Sequence, residues 1–336
     1  MTDTKPTDTG LCPFCFLPLG KSGRCECGAI PKKYRSPSNA LPPFTVLKKR
    51  YVLGATLGKG GFGMTYNGLD RMSGARVAIK EYFPSSLVKR GVGTVVAPLS
   101  TDVRMKFLLG KKRFSDEARN MAAIRNIQGI TAVLDFFSEN DTAYIVMEYL
   151  DGETLEAYLE KKKRLTFCRA LTLMTPVLGA LGKLHAAGFV HGDVSPDNIM
   201  LTESGCKLLD FGSVVHADVF AGSRAVTLKK RYAPPEQYNS GMVLGASADI
   251  YAAGVTLYAC VSGTLPPESV AREVRDDVKS PKRLGAKITE AEDRALMKSI
   301  AVAPSERYAD MQAMIDALTS SAADDPEYLK ETAGVK

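Results

Sequence analysis

Six residues, Gly58-Lys59-Gly60-Gly61-Phe62-Gly63, constrain this chain more than any others. The same glycine spacing in a dinucleotide-binding turn opens a helix. Here Met64-Thr65-Tyr66 continues as a strand and another strand precedes the run, so the glycines join two antiparallel strands. Glycine lets phosphates approach the backbone, whose N–H groups can donate to their oxygens. An ordinary glycine-rich hairpin has the same spacing, so the loop does not decide its own role.

The neighbours add weight. Strands are expected over residues 51–58, 63–69 and 75–82, with Arg71-Met72-Ser73-Gly74 as a turn. Val77-Ala78-Ile79-Lys80 closes the third strand, 17 residues past Gly63, and places a cation where phosphates would lie. Such a lysine needs an anion to hold it. Glu117, on a helix expected over 114–125, is the best candidate and Asp116 the neighbouring alternative, with helix register deciding between them. Residues 83–113 are expected to be a long irregular segment that interrupts the pattern; they carry Gly91, Gly93 and Pro98.

A hairpin is expected at 133–137 and 143–148, turning at Glu139-Asn140-Asp141. Helices are expected at 154–162, 167–187, 249–262, 290–299 and 308–319; on the second, Leu171, Met174, Leu178, Leu181 and His185 share a face. Strands followed by helices predict an α+β chain of two lobes.

After the long helix comes His191-Gly192-Asp193-Val194-Ser195-Pro196-Asp197-Asn198, and Asp210-Phe211-Gly212 follows. Phosphoryl transfer asks a protein for metal ligands, a positioned hydroxyl and charge neutralisation. Asn198 and Asp210 offer the hard oxygens that Mg²⁺ takes. Asp193 is free to accept a hydroxyl proton. Any one of these residues could be a loop cap, but their joint order after a glycine loop and a lysine argues against coincidence.

On these motifs the chain resembles the protein kinase superfamily, in particular the bacterial serine/threonine kinases of eukaryotic type. The resemblance runs from about Tyr51 to Leu318. It implies a two-lobed fold with ATP in the cleft between lobes and a protein substrate with a Ser or Thr acceptor. It also implies that Leu57, Gly58, Gly60, Gly61 and Gly63 cover the nucleotide and that Ala78 and Met200 sandwich the adenine. Met147 would be the gatekeeper, with Glu148-Tyr149-Leu150 as the hinge. Lys80, held by Glu117, would grip the phosphates, and Asp193 would be the catalytic carboxylate. Glu236 would pair with Arg307, and Asp249 would brace the catalytic loop.

Four positions depart from the pattern. Gly192 stands where many kinases carry an Arg that meets an activation-loop phosphate, so activity is expected without that modification; Ser213, Ser223 and Thr227 are its candidate acceptors. Ser195 stands at the usual catalytic-loop Lys, while Lys229 occupies a position where the family commonly has Thr. The two residue types look exchanged, and Lys229 is expected to supply the cation from the opposite side. Thr65, where Val is common, is a minor change.

Near the N-terminus, Cys12-x₂-Cys15-x₉-Cys25-x-Cys27 groups four thiols as two pairs, a set that suits a tetrahedral structural Zn²⁺ and resembles a small zinc ribbon. The segment is too short to build a core, so a metal would have to fold it. An iron–sulfur cluster or a redox pair is the alternative. The domain reading is a four-cysteine module at 1–28, a Pro-rich linker at 29–45, a kinase domain at 46–320 divided after residue 150, and a polar tail at 321–336. The module is expected to serve partner recognition or autoregulation. Cys168, Cys206 and Cys260 read as core residues.

The net charge of +7 is largely local: residues 89–113 hold seven Lys or Arg against one acid, and Lys161-Lys162-Lys163-Arg164 forms a second cluster. A solvated surface is the expectation for both, with no nucleic-acid partner. No membrane span and no signal peptide are expected, which makes a cytoplasmic location the default. The competing reading is a pseudokinase, an ATP-binding scaffold whose zinc module recruits partners, and its support is the missing catalytic-loop Lys. A small-molecule kinase is a further alternative, disfavoured by Pro234-Pro235-Glu236 and the helices after it.

Overall fold

The computed structural model describes residues 10–124, 127–209, 214–217, 228–239, 241–323 and 328. Two compact units emerge, one built on residues up to 123 with 132–150, the other on 124–131 with 151 onward.

The first unit contains β1 (Val46–Leu47), β2 (Tyr51–Lys59), β3 (Gly63–Asp70), β4 (Arg76–Tyr82), β5 (Val88–Arg90), β6 (Val96–Pro98), α1 (Thr101–Ala123), β7 (Val133–Glu139) and β8 (Thr142–Glu148). Six of the strands form one sheet in the order β1-β2-β3-β4-β8-β7, and β5 and β6 make a separate hairpin. Alternating burial in β4 follows the period of two of a strand with one face in the core. The β7–β8 turn falls on Asn140 and Asp141, at φ +53° and +60°, the left-handed pair that closes a tight hairpin.

The segment expected to be irregular is not. Residues 88–98 form the β5–β6 hairpin, and α1 begins at Thr101, thirteen residues before the expected start. Two features hid that helix. Gly110 sits in its middle because a Cβ there would overlap the Tyr82 hydroxyl. The basic run also masks a thin buried stripe of Phe107, Phe114, Ala118 and Met121. Nor is the basic cluster wholly solvated. Arg90 is half-buried and forms a two-pronged pair with the fully buried Glu81, both bonds at 2.8 Å. Glu81 also accepts the hydroxyls of Tyr66 (2.8 Å) and Tyr144 (2.9 Å), so this pair anchors the hairpin to the sheet with its polar groups satisfied.

The second unit contains β9 (Gly152–Thr154), α2 (Leu155–Lys162), α3 (Phe167–Ala186), β10 (Phe189–Val190), β11 (Ile199–Thr202), β12 (Gly205–Leu208), β13 (Val215–His216), α4 (Pro235–Tyr238), α5 (Ala246–Ser262), α6 (Ser269–Val274), α7 (Glu290–Ser299) and α8 (Met311–Ser321). Thr154 caps α2 and Thr166 caps α3; Thr289 and Glu292 form a reciprocal capping box on α7. Helix α5 is buried on almost every side, the pattern of a central core helix. It packs against α3 and α7, and α3 also packs against α8. By length and composition α3 could cross a bilayer, which is not what the sequence led us to expect; the core helix of a soluble domain passes the same test, and the apolar face of α3 is buried.

Candidate active site

In the first unit, the loop between β2 and β3 is closed by Gly60 N–H donating to Gly63 O at 2.9 Å. Its glycines are of two kinds. A Cβ at Gly63 would overlap the Glu81 carbonyl, so the sheet requires that glycine. Gly58, Gly60 and Gly61 are outside the left-handed region, and a Cβ on any of them would meet no atom within 4 Å. The fold does not need these three as glycine. They leave a strip of bare backbone beside the exposed Leu57, as close contact with a phosphate chain demands.

On β4, Lys80 lies between Thr65 and Ile145 in the ladder, and Ala78 lies between Asn67 and Met147. Two residues apart, Ala78 and Lys80 share a face. Of the two acids of α1, Asp116 is bonded to Arg119 at 2.6 Å, and both it and Glu117 are half-buried. At the end of β8, Glu148 exchanges a pair of bonds with Ala132, whose N–H reaches Glu148 Oε1 at 2.9 Å; Tyr149 and Leu150 follow, both half-buried.

In the second unit, residues 191–198 connect β10 to β11 and end in a 3₁₀ turn, Pro196–Asn198. Asp249, fully buried near the start of α5, accepts His191 N–H and Gly192 N–H, both at 2.7 Å, and meets His185 Nε2 at 2.8 Å. Burial acts to raise its carboxyl, yet the His185 imidazole and the other donors hold it below the ordinary carboxylate value. Gly192 sits at φ +73°, which most side chains would resist, and its carbonyl accepts Gln237 Nε2 at 2.9 Å. The backbone of the loop is thus fixed from two sides.

Asn198 Nδ2 donates to Asp193 O (2.8 Å) and Asp193 Oδ2 (2.9 Å). Among the described residues, nothing is bonded to Asn198 Oδ1, which leaves a hard oxygen for a cation. Burial raises the Asp193 carboxyl above its ordinary value, against the pull of Lys229, His191 and the Asn198 bond. Lys229 Nζ donates to Ser195 Oγ at 2.7 Å and to both Asp197 oxygens at 2.6 Å, and lies 3.9 Å from Asp193 Oδ1. The ammonium therefore reaches the loop that carries Ser195. Met200 follows on β11, paired with Thr154 and Lys207. Asp210, Phe211 and Gly212 lie outside the described residues, as do Ser213, Ser223 and Thr227. Glu236 and Arg307 form a buried pair at 2.6 and 3.1 Å.

The model of the protein kinase domain matches residues 51–323. The chain belongs to the protein kinase family. It is 33% identical over 77% of its length to a probable serine/threonine-protein kinase of Streptomyces coelicolor, covering 38% of that protein. It is 34% identical over 66% of its length to the serine/threonine-protein kinase PknA of Mycobacterium tuberculosis, covering 48% of it. A solved structure, PpkA-294 in its apo form, superposes with a TM-score of 0.74 at 31% identity, over 84% of this chain and 100% of that one. These relatives place the kinase domain in the bacterial, eukaryotic-type serine/threonine branch, a family that uses ATP and Mg²⁺. The chain spans about two fifths of the length of the first of the curated relatives it matches.

The four N-terminal thiols of the chain also converge. Their sulfurs all lie within 4.8 Å of one another, with Cys15 and Cys25 at 3.3 Å and Cys12 and Cys27 at 3.8 Å. Thiolates at ~2.3 Å from a tetrahedral Zn²⁺ sit about 3.8 Å apart, so the donor set fits that ion. Sequence reasoning missed where the module rests. Pro13 and Phe14, between the first two cysteines, bond to β2, β3 and β4 of the same unit through Ala55, Asn67 and Arg76. The 29–45 segment joins in, as Leu41 N–H donates to Tyr66 Oη at 3.0 Å. Asn67 was the available signal, a polar residue at a buried strand position.

Proposed function

We propose that this chain transfers the γ-phosphate of Mg–ATP to serine or threonine hydroxyls of proteins. The observation that carries the reading is the Asp193 loop. A half-buried carboxylate is held by Asn198, flanked by a lysine, and set on a backbone pinned by Asp249.

The bare strip at Gly58, Gly60 and Gly61 suits the phosphates, with Lys80 as their cation and Glu117 as the anion assigned to hold it. Ala78 and Met200 are assigned to the adenine faces, with Met147, Glu148 and Leu150 at its edge. Asn198 and Asp210 are assigned to Mg²⁺, which neutralises charge on the transferring group. Asp193 orients the acceptor hydroxyl and takes its proton. Lys229 supplies the positive charge that the missing catalytic-loop Lys would have given, and stabilises charge that builds on the transferring phosphate. Activity without activation-loop phosphorylation is supported by Gly192, whose left-handed backbone suits glycine and which offers no guanidinium to meet a phosphate.

We further assign Cys12, Cys15, Cys25 and Cys27 to a structural Zn²⁺. Phosphoamino-acid analysis of a generic protein substrate tests the acceptor class: phosphoserine and phosphothreonine support it, and phosphotyrosine alone would refute it. Elemental analysis of purified protein tests the metal; absence of stoichiometric zinc would remove that assignment.

A further inference from the structure

The ladder between β2 and β3 is broken. Its register shifts between Leu53 and Thr56 and again between Thr56 and Gly58, immediately before the glycine loop. A bulge of this kind frees backbone N–H groups, and a buried unpaired N–H is costly. The N-terminal segment takes two of them. Ala55 N–H donates to Pro13 O at 2.8 Å, and Thr56 N–H donates to Tyr34 Oη at 2.7 Å. Tyr34 Oη in turn donates to Thr56 Oγ1 at 3.1 Å.

The rest of the junction is equally close. Asn67 on β3 is 1% exposed, and its amide donates to Pro13 O (3.1 Å) and Phe14 O (2.9 Å). Arg76 on β4 donates to Phe14 O at 2.9 Å and lays its guanidinium 3.7 Å over the Tyr149 ring. A Cβ on Gly54 would overlap the Pro13 carbonyl, so β2 is shaped to receive this turn. The ring of Phe14 meets Tyr34 edge-to-face at 5.4 Å. Pro13 and Phe14 are the two residues between Cys12 and Cys15, so a metal on those thiols would fix the Pro13 carbonyl that takes Ala55 and the Phe14 carbonyl held by Asn67 and Arg76.

We propose that the metal-bearing turn is a latch that completes strand β2, with Tyr34 and Asn67 acting as positioning residues for nucleotide binding. The proposal rests on the zinc assignment and adds a consequence to it. With metal bound, Pro13 O and Tyr34 Oη hold Ala55 and Thr56, and Leu57, Gly58 and Gly60 continue from a fixed strand. Without metal, the turn loses its shape, the bulge loses its partners, and the glycine loop is no longer pre-set for phosphates. Preorganisation of this kind alters nucleotide affinity more than the chemical step.

The test uses the full chain, zinc-loaded or stripped with a chelator selective for zinc over magnesium, in constant Mg²⁺. Binding of Mg–ATP is read by calorimetry and zinc by elemental analysis. Stripping is expected to weaken binding about five- to ten-fold, the scale of one or two lost hydrogen bonds. Zinc-loaded Tyr34→Phe, which keeps the ring, should weaken binding in the same direction and raise KM for ATP while kcat at saturation stays within about two-fold. Stripping the Tyr34→Phe, Asn67→Ala double variant should add little, because both changes act on one latch. Zinc bound stoichiometrically, with nucleotide affinity indifferent to stripping and to Tyr34→Phe, would overturn the latch and leave the zinc assignment standing. A protein that never carries zinc would overturn both.

Discussion

Lys229 Nζ lies 2.7 Å from Ser195 Oγ, so a lysine and a hydroxyl stand face to face with their usual places in the family exchanged. Lys229 thereby brings a positive charge to the loop that carries Ser195 and Asp193. Lys229→Ala should lower kcat by about 10²-fold with little change in Mg–ATP affinity, the loss typical of one electrostatic donor acting on the transition state. Steady-state kinetics with calorimetry separates the two. The reciprocal exchange, Ser195→Lys with Lys229→Thr, should recover much of the loss, and an unchanged kcat in Lys229→Ala would rule the role out.

The same lysine sets a pH dependence. Burial raises the Asp193 carboxyl and Lys229 pulls it down, so the acid limb of kcat reports the balance. Asp193 must be ionised to take a proton, hence activity falls as pH drops through its pKa. In Lys229→Met the downward pull is gone, so the acid limb should move to higher pH. A pH–rate profile that does not move, or moves to lower pH, would contradict this.

Gly60→Ala and Gly61→Ala separate ligand contact from folding. A Cβ at either position meets nothing in the protein, so the melting temperature should hold while Mg–ATP binding weakens. Gly63→Ala should behave oppositely, with a lowered melting temperature because its Cβ overlaps the Glu81 carbonyl. Differential scanning fluorimetry with and without nucleotide reads both.

Arg307→Ala should destabilise the second unit by about 3–5 kcal/mol, because it strands the buried Glu236 carboxylate. The substitution also deprives three backbone carbonyls, Ala301, Ser247 and Val302, of their donor. Chemical denaturation checks this; a loss under about 1 kcal/mol would show that the pair is not integral.

Much of the molecule was legible because local rules and tertiary demands agreed. The turn at Asn140 and Asp141 and the extent of α7 follow from residue type at position. The catalytic loop was legible as a set of chemical groups whose order leaves few folds. What escaped reading depended on contacts that no local pattern announces. Helix α1 carries Gly110 in its middle, and nothing in its own segment says that the Tyr82 hydroxyl requires a glycine there. Arg90 looked like surface charge, because nothing in its own strand says that the β5–β6 hairpin folds back to bring it onto Glu81 of β4. Pro13 and Phe14 fill the gap between two cysteines, and nothing in their own segment says that their carbonyls accept from Ala55, Asn67 and Arg76.

Asp193 is assigned to phosphoryl transfer onto a protein hydroxyl. The direct measurement follows label from the γ-position of ATP into a generic protein substrate in the presence of Mg²⁺, for wild type and Asp193→Ala at matched nucleotide occupancy. Transfer by wild type, reduced to background in Asp193→Ala, is the predicted result. Wild type that binds Mg–ATP and transfers nothing, or an Asp193→Ala variant that transfers at the same rate, would contradict the account.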